Sequence, residues 1–112
     1  MISETGRDGR EPDPSAAAEK YRRCADAGYA PAMIRLGDMY MEGRGVKEDA
    51  DRAAKLFIKA AEDNNADAML RLGKMSLSGK GMVKSTNNAR KWLRKASARG
   101  SGEAAEILET IG

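Results

Sequence analysis

The feature that most constrains the fold is an internal repeat with a period of 36 residues. Residues 32–40 return as residues 68–76, and six of the nine positions are identical. Two glycine pairs follow at the same offset: Gly43 with Gly45, and Gly79 with Gly81. A fixed period of this length is typical of stacked helical units that pack against their neighbours, rather than of one globular core with a unique site.

Each copy has the pattern of two helices joined by a glycine loop. Apolar residues at helical spacing predict first helices over residues 31–41 and 67–77, and second helices over residues 50–63 and 86–99. The turns between successive copies are short, so neighbouring helices must be antiparallel. The sequence therefore predicts an all-α fold, a right-handed α-solenoid of about five antiparallel helices. It has two full 36-residue repeats flanked by two half repeats.

Residues that start and stop helices recur in the same register. Gly28, Asn64 and Gly100 fall at matching positions, and both residue types tolerate the left-handed conformation that ends a helix. Asp49 and Ser85 match as N-caps of the second helices.

A glycine also recurs inside each first helix, at Gly37 and Gly73. A glycine within a helix costs about 1 kcal/mol relative to alanine. We therefore expect both positions to allow a close approach to the second helix.

The first fourteen residues differ in character from the repeats. They contain charges, glycine and proline and almost no apolar side chains, so we expect residues 1–14 to form a disordered lead-in. The sequence Asp13-Pro14-Ser15 then gives a helix start signal. The repeat domain is predicted to span residues 15–112.

Composition weighs against catalysis and against disulfide chemistry. The 112 residues include no histidine, so the commonest general base and metal ligand is missing. The single cysteine, Cys24, aligns with Ala60 and Ala96 and is predicted to be a small buried packing residue. One cysteine favours a reducing compartment, and no apolar run suits a signal peptide or a membrane span. We expect a cytoplasmic protein, although a leader removed from the sequence would leave secretion open.

The repeated positions resemble the pattern of the Sel-one-like repeat family, a relative of tetratricopeptide repeats. The first copy matches the family pattern at Ala32, Leu36, Gly37, Tyr40, Gly43, Gly45, Ala53, Phe57, Lys59, Ala60 and Ala61. The second copy matches it at Ala68, Leu72, Gly73, Gly79, Gly81, Ala89, Trp92, Lys95, Ala96 and Gly100. The resemblance implies a non-enzymatic adaptor or scaffold that binds a protein or peptide, with no catalytic residues, metal or cofactor.

In tetratricopeptide-like stacking the first helices line the concave face, which gives a predicted contact surface. Its residues are Arg35, Asp38, Met41, Glu42, Arg71, Lys74, Leu77 and Ser78. Ile34 and Leu70 are expected to point away from the partner helix on the same side. Arg35 and Arg71 could hold carboxylates in a bidentate manner, while Met41 and Leu77 would offer apolar anchors.

The C-terminal half carries the positive charge and supports an alternative. No Asp or Glu occurs between residues 68 and 102, and one helix carries Arg90, Lys91, Arg94 and Lys95. This basic segment could bind nucleic acid or an acidic partner, although Trp92 is predicted to pack in the core rather than to stack on bases. A further alternative is a terminal piece of a longer solenoid that associates with itself.

Overall fold

The computed structural model describes residues 13–111, and the regular secondary structure of this part of the chain consists of α-helices, without strands. Its helices are α1 (Pro14–Asp26), α2 (Ala30–Glu42), α3 (Ala50–Glu62), α4 (Ala66–Ser78), α5 (Thr86–Ala98) and α6 (Gly102–Ile111). Five of them have thirteen residues, and α6, the terminal half repeat, has ten. The predicted all-α solenoid is confirmed. Most of the predicted disordered lead-in lies outside the described residues.

The helix boundaries follow the repeated start and stop signals. The carboxylate of Asp13 accepts a hydrogen bond from the Ser15 amide at 3.1 Å and caps α1. Gly28, Asn64 and Gly100 have φ of 96°, 65° and 101°, which places all three in the left-handed region. The predicted stops are thus confirmed, including the asparagine that replaces glycine in the middle copy.

The loops from first to second helices are closed in the same way in both repeats. Each predicted cap, Asp49 and Ser85, accepts a hydrogen bond from the backbone amide three residues later at 3.1 Å. The amides of these two residues also donate to carbonyls of the preceding helix, to Tyr40 at 2.9 Å and to Ser76 at 2.8 Å. Each N-cap therefore fixes where its helix starts and ties it to the helix before.

The core lies between consecutive helices and is built largely from alanine and methionine around Phe57 and Leu93. A Cβ atom added at Gly37 would lie 2.5 Å from Cε1 of Phe57, and one added at Gly73 would lie 2.7 Å from Cδ2 of Leu93. Both distances are far below van der Waals contact. The two glycines therefore allow the close approach that their recurrence predicts.

The predicted burial of Cys24 is wrong. Its repeat equivalents Ala60 and Ala96 are fully buried, but Cys24 is exposed. In the full repeats this face of the second helix packs on the first helix of the same repeat. Within residues 13–111 no helix precedes α1, so Cys24 and the neighbouring Tyr21 remain partly or wholly uncovered.

Among the helices of residues 13–111, none is both long enough and apolar enough to cross a membrane.

The close approach at Gly37 gives a first prediction. Gly37→Ala removes the helix cost of glycine, about 1 kcal/mol, but forces a methyl group into the buried Phe57 ring. Overpacking of a core costs about 1–3 kcal/mol, so the free energy of unfolding should fall. Urea denaturation followed by circular dichroism measures the change, and Gly73→Ala should behave alike.

Gly102→Ala is the control, because a Cβ there meets nothing within 4 Å. An unchanged stability in Gly37→Ala would mean that the two helices can move apart.

Candidate functional site

A groove with a volume of about 470 Å³ lies between α2, α4 and α6. We call it the first-helix groove, because these three are the first helices of their repeats. Its lining residues are Asp38, Met41, Glu42, Phe57, Asp67, Leu70, Arg71, Lys74, Met75 and Glu103. Apolar side chains form the floor, and charged groups of both signs form the rim.

Five of the eight predicted contact residues line this groove: Asp38, Met41, Glu42, Arg71 and Lys74. Arg35 is exposed beside it and borders a smaller hollow between α2 and α4. Leu77 is half-buried outside the groove. Ser78 is exposed, but its hydroxyl donates to the Met75 carbonyl at 3.2 Å and accepts from the Lys80 amide at 3.2 Å. Ser78 therefore serves the end of α4.

Arg71 is already paired within the chain. Its Nε and Nη2 atoms donate to the two carboxylate oxygens of Asp38 at 2.7 and 2.8 Å. Nη1 donates to the Asp67 carbonyl at 3.3 Å, and the guanidinium carbon lies 5.8 Å from the centre of the Phe57 ring. Hydrogen bonding to Asp38 raises the pKa of Arg71, against the opposing effect of burial. Arg71 is thus engaged by Asp38 within the chain, and its role as a clamp for a partner's carboxylate stays a prediction.

A second ion pair joins α4 to α6. The ammonium group of Lys74 contacts the carboxylate of Glu103, and this contact holds the pKa of Glu103 below its ordinary value. Lys74 is the repeat equivalent of Asp38. The two residues carry opposite charges, and each forms an ion pair with the first helix of the following repeat. Asp38 pairs forward from α2 to α4, and Lys74 pairs forward from α4 to α6.

Ile34 and Leu70, predicted to point away from the partner helix, are buried, with exposed fractions of 6% and 7%, and Leu70 lines the groove. They lie between stacked repeats, a contact that the pattern of a single helix does not reveal. Both copies carry an aliphatic residue at this position, which is the signal that could have indicated burial. Sequence reasoning also missed Glu103 as a groove residue, since that side chain enters from the following half repeat.

Of the four basic residues of α5, three are exposed and one is half-buried, and their role in binding stays a prediction. Arg90 is half-buried and donates to the Ile111 carbonyl at the end of α6, at 3.3 Å. Arg94 follows one turn later and is exposed. Lys91 is exposed, and the Lys95 ammonium lies 5.3 Å from the centre of the Trp92 ring. Trp92 contacts the core but is only half-buried, so its predicted core role holds in part.

Comparison with known proteins agrees with this repeat architecture. The model of the Sel1 repeat matches residues 1–29, 30–65 and 66–101. The second and third matches begin where α2 and α4 begin. Among curated proteins, none matches the sequence significantly. The chain belongs to the Sel1 repeat family, a non-enzymatic scaffold family whose members typically act as protein–protein interaction modules.

Solved structures with the same fold include three bacterial proteins. A Sel1 repeat protein from Oxalobacter formigenes is 32% identical, with a TM-score of 0.82 over 89% of this chain and 41% of its own. The protective antigen c5321 of uropathogenic Escherichia coli is 31% identical, with a TM-score of 0.86 over 95% of this chain and 23% of its own. Cysteine rich protein B of Helicobacter pylori is 31% identical, with a TM-score of 0.81 over 89% of this chain and 74% of its own. The chain thus spans less than half of the first two proteins.

The Asp38–Arg71 pair gives a second prediction. Arg71→Ala should lower the free energy of unfolding by about 1–2 kcal/mol, because it leaves a half-buried carboxylate without its two charge-assisted hydrogen bonds. A double-mutant cycle with Asp38→Ala, measured by urea denaturation, isolates the interaction. We expect a coupling of about 0.5–1 kcal/mol, since both side chains are partly exposed. Additive effects of the two substitutions would mean that the pair does not stabilise the stacking of α2 and α4.

The Lys74–Glu103 contact gives a third prediction. Because the folded state favours the ionised carboxylate of Glu103, its contribution to stability is present above the ordinary pKa and is lost as the pH falls through the lowered pKa. Carboxyl ¹³C NMR titration should place the Glu103 midpoint below the ordinary value of a glutamate. Lys74→Met should move it upward. A Glu103 midpoint that does not respond to Lys74→Met would show that the contact is absent in solution.

Proposed function

We propose that this protein is a non-enzymatic interaction module that binds a peptide or a protein segment in the first-helix groove. In tetratricopeptide-like stacking this side of the solenoid is the concave face. The observation that carries the proposal is the groove itself, which combines an apolar floor with a charged rim and lies across the first helices of three successive repeats. Such a surface suits an extended or helical segment that supplies apolar anchors and polar neighbours.

The ion pairs on the rim support this proposal by fixing the shape of the groove. Asp38 with Arg71 and Lys74 with Glu103 connect α2, α4 and α6 in turn. A partner therefore meets a surface that is organised before binding, which lowers the entropy cost of association. We assign direct contact to Met41 and Glu42, which line the groove near the end of α2. Arg35 beside the groove keeps its predicted contact role.

The proposed setting is a reducing compartment such as the cytoplasm. The single cysteine supports this assignment, because Cys24 has no second cysteine in the chain with which to form a disulfide. The proposed role is that of an adaptor or scaffold.

The fourth prediction tests the groove with ligands selected for binding. Peptides would be selected on the full chain from a random display library, and their affinities measured by fluorescence anisotropy. We expect the double variant Met41→Ala with Glu42→Ala to weaken the selected peptides by about tenfold or more, about 1.4 kcal/mol, because it removes an apolar anchor and a rim charge. Both side chains lie at the surface or half-buried, so the helical signal in circular dichroism should stay unchanged.

The matched control truncates two exposed side chains on the opposite, second-helix side, Lys55→Ala with Lys59→Ala. It should leave affinity unchanged. Equal loss in both double variants, or no loss in either, would refute the assignment of binding to the first-helix groove. Arg71→Ala is unsuitable as a probe here, because it breaks the internal pair with Asp38.

A further inference from the structure

A second groove lies on the opposite side of the molecule, between the second helices α3 and α5, with a volume of about 410 Å³. We call it the second-helix groove. Its floor includes Met69 of α4, which is buried. Ile58 of α3 and Trp92 of α5 form its two apolar walls. The residues on its rim are Glu62, Lys95 and Arg99.

The repeat provides an internal control for what the fold requires here. Ile58 corresponds to Arg22 in α1 and to Arg94 in α5, both of which are exposed. The solenoid therefore accepts a charged residue at this position in two of three copies. In the middle copy it carries an isoleucine that is 40% exposed. Packing does not account for this apolar side chain on the surface.

The opposite wall departs from the repeat as well. Trp92 corresponds to Leu56 in α3 and to Lys20 in α1, so the largest side chain at this position occurs where it faces Ile58 across the groove. The ring is half-buried and the groove leaves part of it uncovered. Trp and aliphatic side chains in a shallow groove are typical of the anchor pockets of protein interfaces.

The charge around these walls identifies the kind of partner. The Lys95 ammonium is held 5.3 Å from the centre of the Trp92 ring, and Arg99 donates to the side-chain oxygen of Asn64 at 2.6 Å. Arg99 replaces an aspartate, since its equivalent in the first full repeat is Asp63. All charged side chains on the α5 side of the groove are thus basic, because no Asp or Glu occurs between residues 68 and 102.

We infer that the second-helix groove binds an acidic protein segment that places one large apolar side chain between Ile58 and Trp92 and its carboxylates against Lys95 and Arg99. Carboxylates gain from the basic rim, and an apolar anchor gains from the exposed walls. A protein segment suits the site better than a nucleic acid, because the groove offers a single aromatic side chain for stacking, whereas its two apolar walls can hold one aliphatic anchor. This inference is independent of the first-helix groove.

The test uses the single tryptophan of the chain as the reporter. The probe is a short synthetic peptide with a central leucine flanked by glutamates and without aromatic residues. Titration into the full chain at low salt should shift the Trp92 emission and saturate. A peptide with serine in place of leucine, and one with lysines in place of the glutamates, should bind about tenfold more weakly or not at all.

Two substitutions, each taken from the equivalent position of another repeat, distinguish binding in the groove from non-specific attraction to the positive charge of the C-terminal half. Ile58→Arg installs the residue of both other copies, so the fold should tolerate it. It removes the apolar wall while adding positive charge, and we expect about tenfold weaker binding of the leucine peptide. Arg99→Asp installs the residue of the first full repeat and should also weaken binding. Arg94→Asp is its control, with the same change of charge on the same helix but outside the groove, and it should have a much smaller effect.

The outcomes are distinct. Weaker binding in Ile58→Arg and Arg99→Asp, with little change in Arg94→Asp, supports the inference. Equal or tighter binding in Ile58→Arg would overturn it, since charge alone would then explain the attraction. The inference would also be overturned if Arg99→Asp and Arg94→Asp weakened binding equally, or if the Trp92 emission did not respond to the peptide. It would be overturned as well if the peptide did not bind and a single-stranded oligonucleotide bound in a manner that Ile58→Arg weakened. The Met41→Ala and Glu42→Ala variant should bind the probe normally, so failure here and failure of the first-helix groove can be told apart.

Discussion

The close contact of two helices at a glycine governs the geometry of each full repeat. Phe57 in one repeat and Leu93 in the next occupy the space where a Cβ of Gly37 or Gly73 would stand. The helix axes can therefore approach closely, and the rest of the core is filled largely by alanine and methionine side chains. The hydrogen bond from each N-cap amide to the preceding helix then holds the second helix at that distance.

Contacts between repeats have a different chemistry. On the first helices, the aliphatic pair Ile34 and Leu70 is buried in the stack, while Asp38 with Arg71 joins the edges of α2 and α4. Such partly exposed ion pairs contribute modest free energy, but a bidentate arginine fixes a relative orientation. Apolar packing thus supplies cohesion, and the charged edge defines the spacing of the helices that form the first-helix groove.

Much of the fold could be predicted because each helix start and stop occurs at equivalent positions in more than one copy of the repeat, so that the assignments support one another. The stops at Gly28, Asn64 and Gly100 and the caps at Asp49 and Ser85 support one another in register, and all five were correct. The burial of equivalent positions was less predictable, because it depends on neighbours outside the helix. Cys24 matches buried alanines by alignment, yet it lies in α1, which no other helix of residues 13–111 precedes.

For the candidate site, the sequence could predict which side of the solenoid its residues occupy, but not which side chains pair with one another. The spacing placed Arg35, Asp38 and Arg71 on one side of the solenoid, but side chains on different helices can satisfy one another, and no single-helix pattern shows this. Asp38 and Arg71 are 33 residues apart and engage each other. The second-helix groove could not be predicted from the repeat pattern, because Ile58 departs from that pattern. The departure indicates a site only when the structure shows that Trp92 lies across the groove from Ile58.

The packing of each helix mainly against its neighbours in sequence also affects how the chain acquires its structure. Packed residues are close in sequence, so little loop entropy is lost before contacts form, and such topologies fold quickly. Folding can begin within one repeat and spread to the next. On the ribosome, α2 and α3 can assemble before α5 has been synthesised. The growing chain then offers α4 a folded surface on which to dock as it emerges, and the strongly basic α5 packs onto α4 in turn.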